Sequence, residues 1–246
     1  MLKTFSFKGP LGNIECLVEP NRSTSRAVLI MSHGFRGSRE SGGRSAGLAH
    51  LFAEHCDVVR YNFTGTQIMS KQVQELEAVI AEVRHQAPES EIYLFGRSLG
   101  GAASVITASK DDAIKGLVLW ATPNNLRETF QHVMPPEFFQ RLENGLSIEF
   151  DDERGHCILG PEFLSDAESY DLGALLTAWD ERPVLMLHCE ADAVVVVEQA
   201  KRNASILGNK GELKLFPNGD HAFTEHSDAA GALIAEWLGQ KINRRL

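Results

Sequence analysis

The sequence contains no apolar run that approaches the roughly 20 residues needed to cross a bilayer. Its start, Met-Leu-Lys-Thr-Phe-Ser-Phe, also lacks the long apolar stretch of a secretory signal. Cysteines are few, and Cys16, Cys56, Cys157 and Cys189 are too scattered to show a paired metal-binding spacing. We therefore expect reduced thiols, no metal, no membrane contact and a cytoplasmic location.

Positive charge is also scarce, because 24 Lys and Arg residues stand against 33 Asp and Glu residues, for a net charge of −9. Nucleic acid is a poor partner for such a chain, since its phosphates would be repelled. The imbalance is confined to residues 124–182, where 13 acidic residues face 4 basic ones. With 246 residues, the chain can bury one large core. We expect a single domain over residues 1–246, with an insertion at about 124–182.

Short apolar runs alternate with helical patterns along the rest of the chain. Residues 27–31 and 91–95 are continuous apolar or nearly apolar runs, and residues 71–86 between them place apolar side chains on one helical stripe. This alternation predicts an α/β fold with a mostly parallel, doubly wound sheet. The insertion interrupts it and predicts a short helical cap over a pocket. Its apolar set comprises Phe130, Met134, Phe138, Phe139 and Leu142, of which we expect Phe138 and Phe139 to contact substrate.

A Gly-Arg-Ser-Leu-Gly pentapeptide at residues 96–100 is the most informative stretch. It follows an apolar run and opens a helical pattern, which is the context of a nucleophile elbow. A sharp turn from strand to helix strains the serine backbone and leaves no room for side chains two residues away. Gly96 and Gly100 meet that need, so Ser98 is the predicted nucleophile.

A serine nucleophile needs a base, and the base needs an acid that orients it. Both should lie on loops after the carboxyl ends of strands, where the serine is presented. His221 follows the last predicted strand, with His226 as the alternative base. Asp192 follows the predicted strand 184–187, with Glu190 as the alternative acid.

Two backbone N–H groups should stabilise the oxyanion that forms on the substrate. The N–H of Leu99, directly after the nucleophile, is the first predicted donor. The second is the N–H of Phe35, in the loop after an earlier strand, where Gly34 permits close approach. His33 in the same loop is more typical of a structural hydrogen-bonding residue than of a catalyst.

These stretches together resemble the α/β-hydrolase superfamily. Ser-His-Gly-Phe at 32–35, the pentapeptide around Ser98, Glu-Ala-Asp-Ala-Val-Val at 190–195 and Gly-Asp-His-Ala-Phe at 219–223 span nearly the whole chain. The order Ser, Asp, His matches the family. Within it, the chain is most similar to small serine esterases of the cinnamoyl and feruloyl esterase and acylaminoacyl-peptidase-like group. The resemblance implies a triad of Ser98, His221 and Asp192, without a cofactor.

Two stretches depart from that resemblance. Residues 62–67 read Asn-Phe-Thr-Gly-Thr-Gln, where family members commonly carry an Arg-Gly-x-Gly-x-Ser-like loop. The valines at 194–197 run on without the usual proline. The first departure concerns the shape of one side of the pocket, and the second concerns the geometry around Asp192.

The predicted function is hydrolysis of small to medium carboxylic esters through an acyl-enzyme. A small acyl ester is the expected partner, and a homodimer is left open. Three alternatives use the same triad (thioesterase, amidase and peptidase), and a fourth is a non-catalytic ligand-binding member of the fold.

An arginine-rich stretch follows the loop that contains Phe35. It contains Arg36, Arg39 and Arg44, and Arg97 adjoins the nucleophile. These side chains either pair with acidic cap residues or recognise an anionic or polar acyl group. If they recognise an acyl group, we expect Arg36 to contact the substrate.

Overall fold

The computed structural model describes residues 2–243 of the chain. Its strands are β1 (Phe5–Lys8), β2 (Asn13–Glu19), β3 (Ala27–Ser32), β4 (Asp57–Tyr61), β5 (Glu91–Arg97), β6 (Leu117–Trp120), β7 (Ile148–Asp152), β8 (Gly155–Leu159), β9 (Val184–Cys189) and β10 (Gly211–Phe216). Its helices are α1 (Arg44–Phe52), α2 (Met69–Gln86), α3 (Leu99–Ser109), α4 (Leu126–Val133), α5 (Pro136–Glu143), α6 (Phe163–Glu168), α7 (Leu172–Thr177), α8 (Val197–Leu207) and α9 (Ser227–Asn243).

Eight strands form one sheet in the order β1-β2-β4-β3-β5-β6-β9-β10. The pairs β1–β2 and β2–β4 are antiparallel, and every other pair is parallel. Every residue of β3, β4, β6 and β9 is buried, because helices cover both faces of the sheet. The predicted mostly parallel, doubly wound sheet is confirmed.

The two layers of helices bury separate hydrophobic cores. Helices α2, α3 and α8 cover one face, and α1 and α9 cover the other, with Phe52 and Trp237 among the buried residues of that second core. No helix within residues 2–243 combines the length and the apolarity that a membrane crossing requires.

Strand register brings the loops of interest to one edge of the sheet. Ser32 at the end of β3 pairs with Gly96 near the end of β5, and Cys189 at the end of β9 pairs with Phe216 at the end of β10. The loops that follow these four strands therefore leave the sheet at the same edge, the place where open α/β sheets bind ligands.

The cap segment, residues 124–182, lies between β6 and β9 and contains helices α4 to α7. It also contains an antiparallel hairpin of β7 and β8, which the sequence analysis did not predict. Within β7 only Ile148 is buried and Phe150 is half-buried, while Glu149, Asp151 and Asp152 are exposed. This alternation of buried and exposed residues identifies a strand. In the sequence it is concealed by the run of charged residues.

Candidate active site

Ser98 occupies the turn between β5 and α3 with φ 52° and ψ −120°, a conformation that L residues rarely adopt. Its N–H donates to the Trp120 carbonyl at 2.8 Å, which fixes the turn against β6. A Cβ atom on Gly96 would lie 2.4 Å from the Gly100 oxygen, and one on Gly100 would lie 2.4 Å from the His33 oxygen. Only glycine fits at either position, as the pentapeptide predicts.

His221 and Asp192 meet across the loops after β10 and β9. Nδ1 of His221 lies 2.7 Å from Oδ2 of Asp192, whose side chain is fully buried. The other oxygen, Oδ1, accepts from the N–H groups of Val194 at 2.8 Å and Val195 at 2.9 Å. The carboxylate is thus held by three donors and has a fixed orientation toward the imidazole.

This hydrogen bond sets the tautomer of His221. A carboxylate accepts, so Nδ1 carries the proton and Nε2 is left as an acceptor. Ser98 and His221 line a common cavity of about 600 Å³. Within the described residues the two side chains are not hydrogen-bonded to each other, as is frequent for catalytic pairs before substrate binds.

The alternative base and acid lie elsewhere. His226 Nε2 donates to the Pro217 carbonyl at 2.9 Å, and its ring packs against Phe216. Glu190 is exposed, and its backbone N–H donates to the Phe216 carbonyl at 2.8 Å, while its side chain makes no hydrogen bond within residues 2–243. The structure therefore brings Asp192 to His221 and leaves both alternatives outside the pair.

The two predicted oxyanion donors flank Ser98. Leu99 is the first residue of α3, so its N–H has no acceptor within the helix. The N–H of Phe35 donates to no acceptor among residues 2–243. A Cβ atom on Gly34 would lie 3.0 Å from Cβ of Ser98, which shows how closely the Phe35 loop approaches the serine.

The loop at 62–67, which departs from the family pattern, holds the Phe35 loop in place. Oε1 of Gln67 accepts from the Arg36 N–H at 3.0 Å, and Oδ1 of Asn62 accepts from the Arg39 N–H at 2.6 Å. The buried Glu75 in turn accepts from the N–H and hydroxyl of Thr64, and burial raises its pKa. The carboxamides of this loop therefore position the backbone of the proposed oxyanion site.

His33 makes the structural hydrogen bonds expected of it. Nδ1 donates to the Gly34 carbonyl at 2.9 Å, and Nε2 accepts from the Phe63 N–H at 3.2 Å. Burial lowers the pKa of His33, which favours this neutral form.

His188 is a residue that the sequence analysis missed. It is the penultimate residue of β9, with 1% of its side chain exposed, and its Nε2 donates to the Val195 carbonyl at 2.7 Å. The same nitrogen lies 3.5 Å from Oδ2 of Asp192. Burial lowers its pKa, so it supports the Asp192 loop as a neutral group. Its position four residues before Asp192, at the end of an apolar strand, was the available signal.

An apolar cavity of about 510 Å³ opens on the other side of Ser98, beneath the cap segment. Its walls include Phe130, Met134 and Phe138 from helices α4 and α5 and the residues between them. Phe139 is not on the wall: it is 5% exposed in the hydrophobic core, with the Arg127 guanidinium 5.1 Å from its ring centre. Of the two predicted substrate contacts, the structure therefore places Phe138, but not Phe139, on the wall of this cavity.

Arg36 pairs with the cap segment, in line with the first of the two interpretations of the arginines. Its Nη1 lies 2.5 Å from Oδ2 of Asp152, its Nη2 donates to the Gly155 carbonyl at 2.6 Å, and its side chain is only 7% exposed. It lines the cavity that contains Ser98, where its charge is paired with Asp152.

Within residues 2–243, no group of three or more His, Cys, Asp or Glu side chains is arranged to hold a metal ion. All four cysteines are free and buried. Burial raises the pKa of Cys16 and Cys189 to about 12, so these thiols stay protonated.

The sequence matches the model of the alpha/beta hydrolase family over residues 28–236, and the chain belongs to this family. Its fold is similar to that of Est1E from Butyrivibrio proteoclasticus, also solved with ferulic acid bound (17% identity, 98% of this chain and 100% of that one, TM-score 0.81). It is also similar to the esterase domain of a Rhodothermus marinus protein (20% identity, 98% and 99% coverage, TM-score 0.77). At these identities the likeness shows the fold. No curated protein matches the sequence significantly.

Proposed function

We propose that this chain is a serine hydrolase that cleaves carboxylic esters of small to medium acyl groups. The observation that carries the proposal is the 2.7 Å contact between His221 Nδ1 and the buried Asp192 carboxylate. It leaves the other ring nitrogen as an acceptor, on a cavity that also contains the strained Ser98. A base oriented in this way is what a serine hydroxyl needs to become a nucleophile.

The reaction proceeds in two halves. Ser98 Oγ attacks the ester carbonyl carbon while His221 Nε2 takes the hydroxyl proton. The tetrahedral intermediate collapses, the bond from carbon to the alcohol oxygen breaks, and His221 returns its proton to that oxygen. Water then attacks the acyl-serine with His221 as base, which releases the acid and regenerates Ser98. Asp192 stabilises the imidazolium in both halves.

The backbone donors stabilise the negative charge that develops on the carbonyl oxygen. The N–H groups of Phe35 and Leu99 flank Ser98, and their positions are fixed by Gln67 on one side and by helix α3 on the other. Loss of one such donor typically costs about 10²–10³ in kcat. The apolar cavity beneath the cap has room for an acyl chain, with Phe138 on its wall.

A labelling and turnover experiment tests this function. The wild-type protein should react with a fluorophosphonate probe, and Ser98→Ala should not, with circular dichroism confirming that the variant is folded. Hydrolysis of p-nitrophenyl esters from acetate to decanoate should fall by about 10⁴-fold or more in the same variant.

Matched thioester and anilide substrates complete the test. Turnover of those substrates without turnover of oxygen esters would reassign the leaving group to a thioesterase or amidase. Ligand binding with neither labelling nor turnover would make the chain a non-catalytic member of the fold.

A further inference from the structure

The cavity that contains His221 has a cationic wall. Four arginines line it, of which Arg36 is paired with Asp152. The other three are Arg44 from the start of α1, Arg97 from the end of β5, and Arg154 from the turn between β7 and β8. They come from three separate parts of the chain and converge beside Ser98. We call this space the arginine cavity.

None of these three guanidinium groups forms an ion pair with a carboxylate in the described part of the chain. Each is held instead by a backbone carbonyl: Arg44 Nη1 by Ala222 at 2.6 Å, Arg97 Nη2 by His221 at 3.3 Å and Arg154 Nη1 by Phe35 at 3.3 Å. A guanidinium has five N–H donors, so most of them stay available to a ligand.

The neighbouring arginines show the contrast. Arg36 pairs with Asp152, Arg39 with Glu15, and Arg60 with Glu40. The fold thus divides these arginines: Arg36, Arg39 and Arg60 are paired with carboxylates, whereas Arg44, Arg97 and Arg154 are not within the described residues.

Nearby acids compensate this wall only in part. Glu153 lines the cavity, and Asp192 and Asp220 both act on the charge of Arg97. Asp192 is engaged by His221, and Asp220, which also lies near Arg44, binds the N–H of Thr224 at 2.8 Å and its hydroxyl at 2.7 Å. Burial and the charges of Arg44 and Arg154 lower the pKa of Arg97. The three guanidinium groups repel one another, although the chain as a whole has a net charge of −9. An anion that binds in the cavity relieves this repulsion and stabilises them.

The position of His221 decides which half of the substrate this anion belongs to. In acyl transfer the histidine returns a proton to the alcohol oxygen, so the alcohol must lie on the histidine's side of Ser98. His221 lines the arginine cavity, whereas the apolar cavity is lined by Ser98 and Leu99 without it. The acyl chain therefore occupies the apolar cavity.

We propose that the alcohol half of the substrate carries an anionic group, a carboxylate or a phosphate, which Arg44, Arg97 and Arg154 bind. The inference rests on the proposed esterase function and specifies its substrate class. Cleavage then yields an apolar carboxylic acid and a hydroxy acid or phosphorylated alcohol, with the proton from Ser98 passing through His221 to the alcohol oxygen. One of the two interpretations of the arginines placed such a group on the acyl half, whereas this proposal places it on the other side of the serine.

The test compares esters that share one acyl group. 3-Carboxyphenyl butyrate and 3-(phosphonooxy)phenyl butyrate carry the anion, and 3-carbamoylphenyl butyrate is the neutral match. We expect kcat/KM to favour at least one anionic ester by about tenfold, because hydrogen bonds between ionised groups are stronger than those between neutral groups. The anionic ester with the higher kcat/KM shows whether the arginines prefer a carboxylate or a phosphate. The preference should shrink as salt is added.

Arginine variants test which side chains cause the preference for the anionic ester. Arg44→Gln and Arg154→Gln should each lower the ratio of anionic to neutral kcat/KM severalfold, and the double variant should bring it near one. Arg26→Gln is the control, because Arg26 precedes β3 at the opposite edge of the sheet and its side chain is 75% exposed. It should leave the ratio unchanged.

Three results would overturn the proposal. One is a ratio near one in the wild type, with both esters hydrolysed in a Ser98-dependent way, which leaves the esterase function intact. Another is a preference that Arg44→Gln and Arg154→Gln do not change. The last is an arginine-dependent preference for monophenyl glutarate over phenyl pentanoate, which would place the anion on the acyl half. Absence of any Ser98-dependent hydrolysis would instead refute the esterase function itself.

Discussion

Arg36 Nη1 lies 2.5 Å from Asp152 Oδ2, although the two residues are 116 positions apart in the chain. The pair joins the loop that contains Phe35 to the hairpin of the cap segment. Since the Phe35 N–H is a proposed oxyanion donor, the position of the cap and the geometry of the oxyanion site are mechanically connected. The side chain of Arg36 is almost fully buried, but that of Asp152 is 40% exposed, so solvent weakens the ion pair. The pair therefore serves mainly to hold the loop and the hairpin together.

Asp152→Asn should weaken that link. We expect the free energy of unfolding to fall by no more than about 1 kcal/mol, because one partner is solvated. The value of kcat/KM for a long-chain p-nitrophenyl ester should fall about threefold to tenfold, since the cap wall and the Phe35 loop are no longer held together. Glu149→Gln, in the same hairpin, removes an equal charge that is paired with the exposed His156 and should leave activity unchanged. Equal effects of the two variants would show that hairpin charge, rather than the pair, matters.

Asp192→Asn should lower kcat by about 10⁴-fold without unfolding the protein, because an amide no longer holds the productive tautomer of His221. Glu190→Gln, two residues earlier in the same loop, should change kcat little, since its side chain makes no hydrogen bond within residues 2–243. Both variants are measured on one activated ester at equal ellipticity. A larger loss in Glu190→Gln would transfer the role of the acid.

Phe138→Ala and Phe139→Ala should separate substrate contact from cap stability. Phe138 lines the apolar cavity, so its truncation should shift the preferred acyl chain toward longer esters with little change in melting temperature. Phe139 is buried in the core, so its truncation should cost about 3–5 kcal/mol of stability. The p-nitrophenyl series and urea unfolding report the two effects. An unchanged chain preference in Phe138→Ala would contradict the acyl assignment of this cavity.

Stability should depend on pH through His188. Its pKa is lowered in the folded protein, so the unfolded chain binds more protons, and the associated stability is present above about 6.5 and lost as pH falls below it. His33 contributes in the same sense. The slope is at most about 1.4 kcal/mol per pH unit for each histidine.

His188→Gln provides the matched comparison, because the glutamine amide can still donate to the Val195 carbonyl without titrating. Urea unfolding between about pH 5.5 and 7.5 should give a shallower decline in the variant than in the wild type. Parallel curves would mean that His188 does not change its charge on unfolding.

Much of the fold and of the candidate site could be predicted from sequence because each signal is local. Strands buried on both faces are continuous apolar runs, and the pentapeptide around Ser98 sets its own backbone. The hairpin β7–β8 could not be predicted because β7 has only two apolar residues, Ile148 and Phe150, and they lie among charges. The Arg36–Asp152 pair and the contact of His188 with the Asp192 loop depend on three-dimensional packing that residue types alone do not reveal.

The conformation of Ser98 has a consequence for directed evolution of this chain. A positive φ costs a serine about 1–3 kcal/mol, whereas glycine adopts it without a steric penalty. A library screened for thermal resistance alone would therefore tend to enrich glycine at position 98 and, with it, proteins without the hydroxyl. Selection for robustness has to be coupled to a readout of turnover, or it will favour the disappearance of the proposed nucleophile.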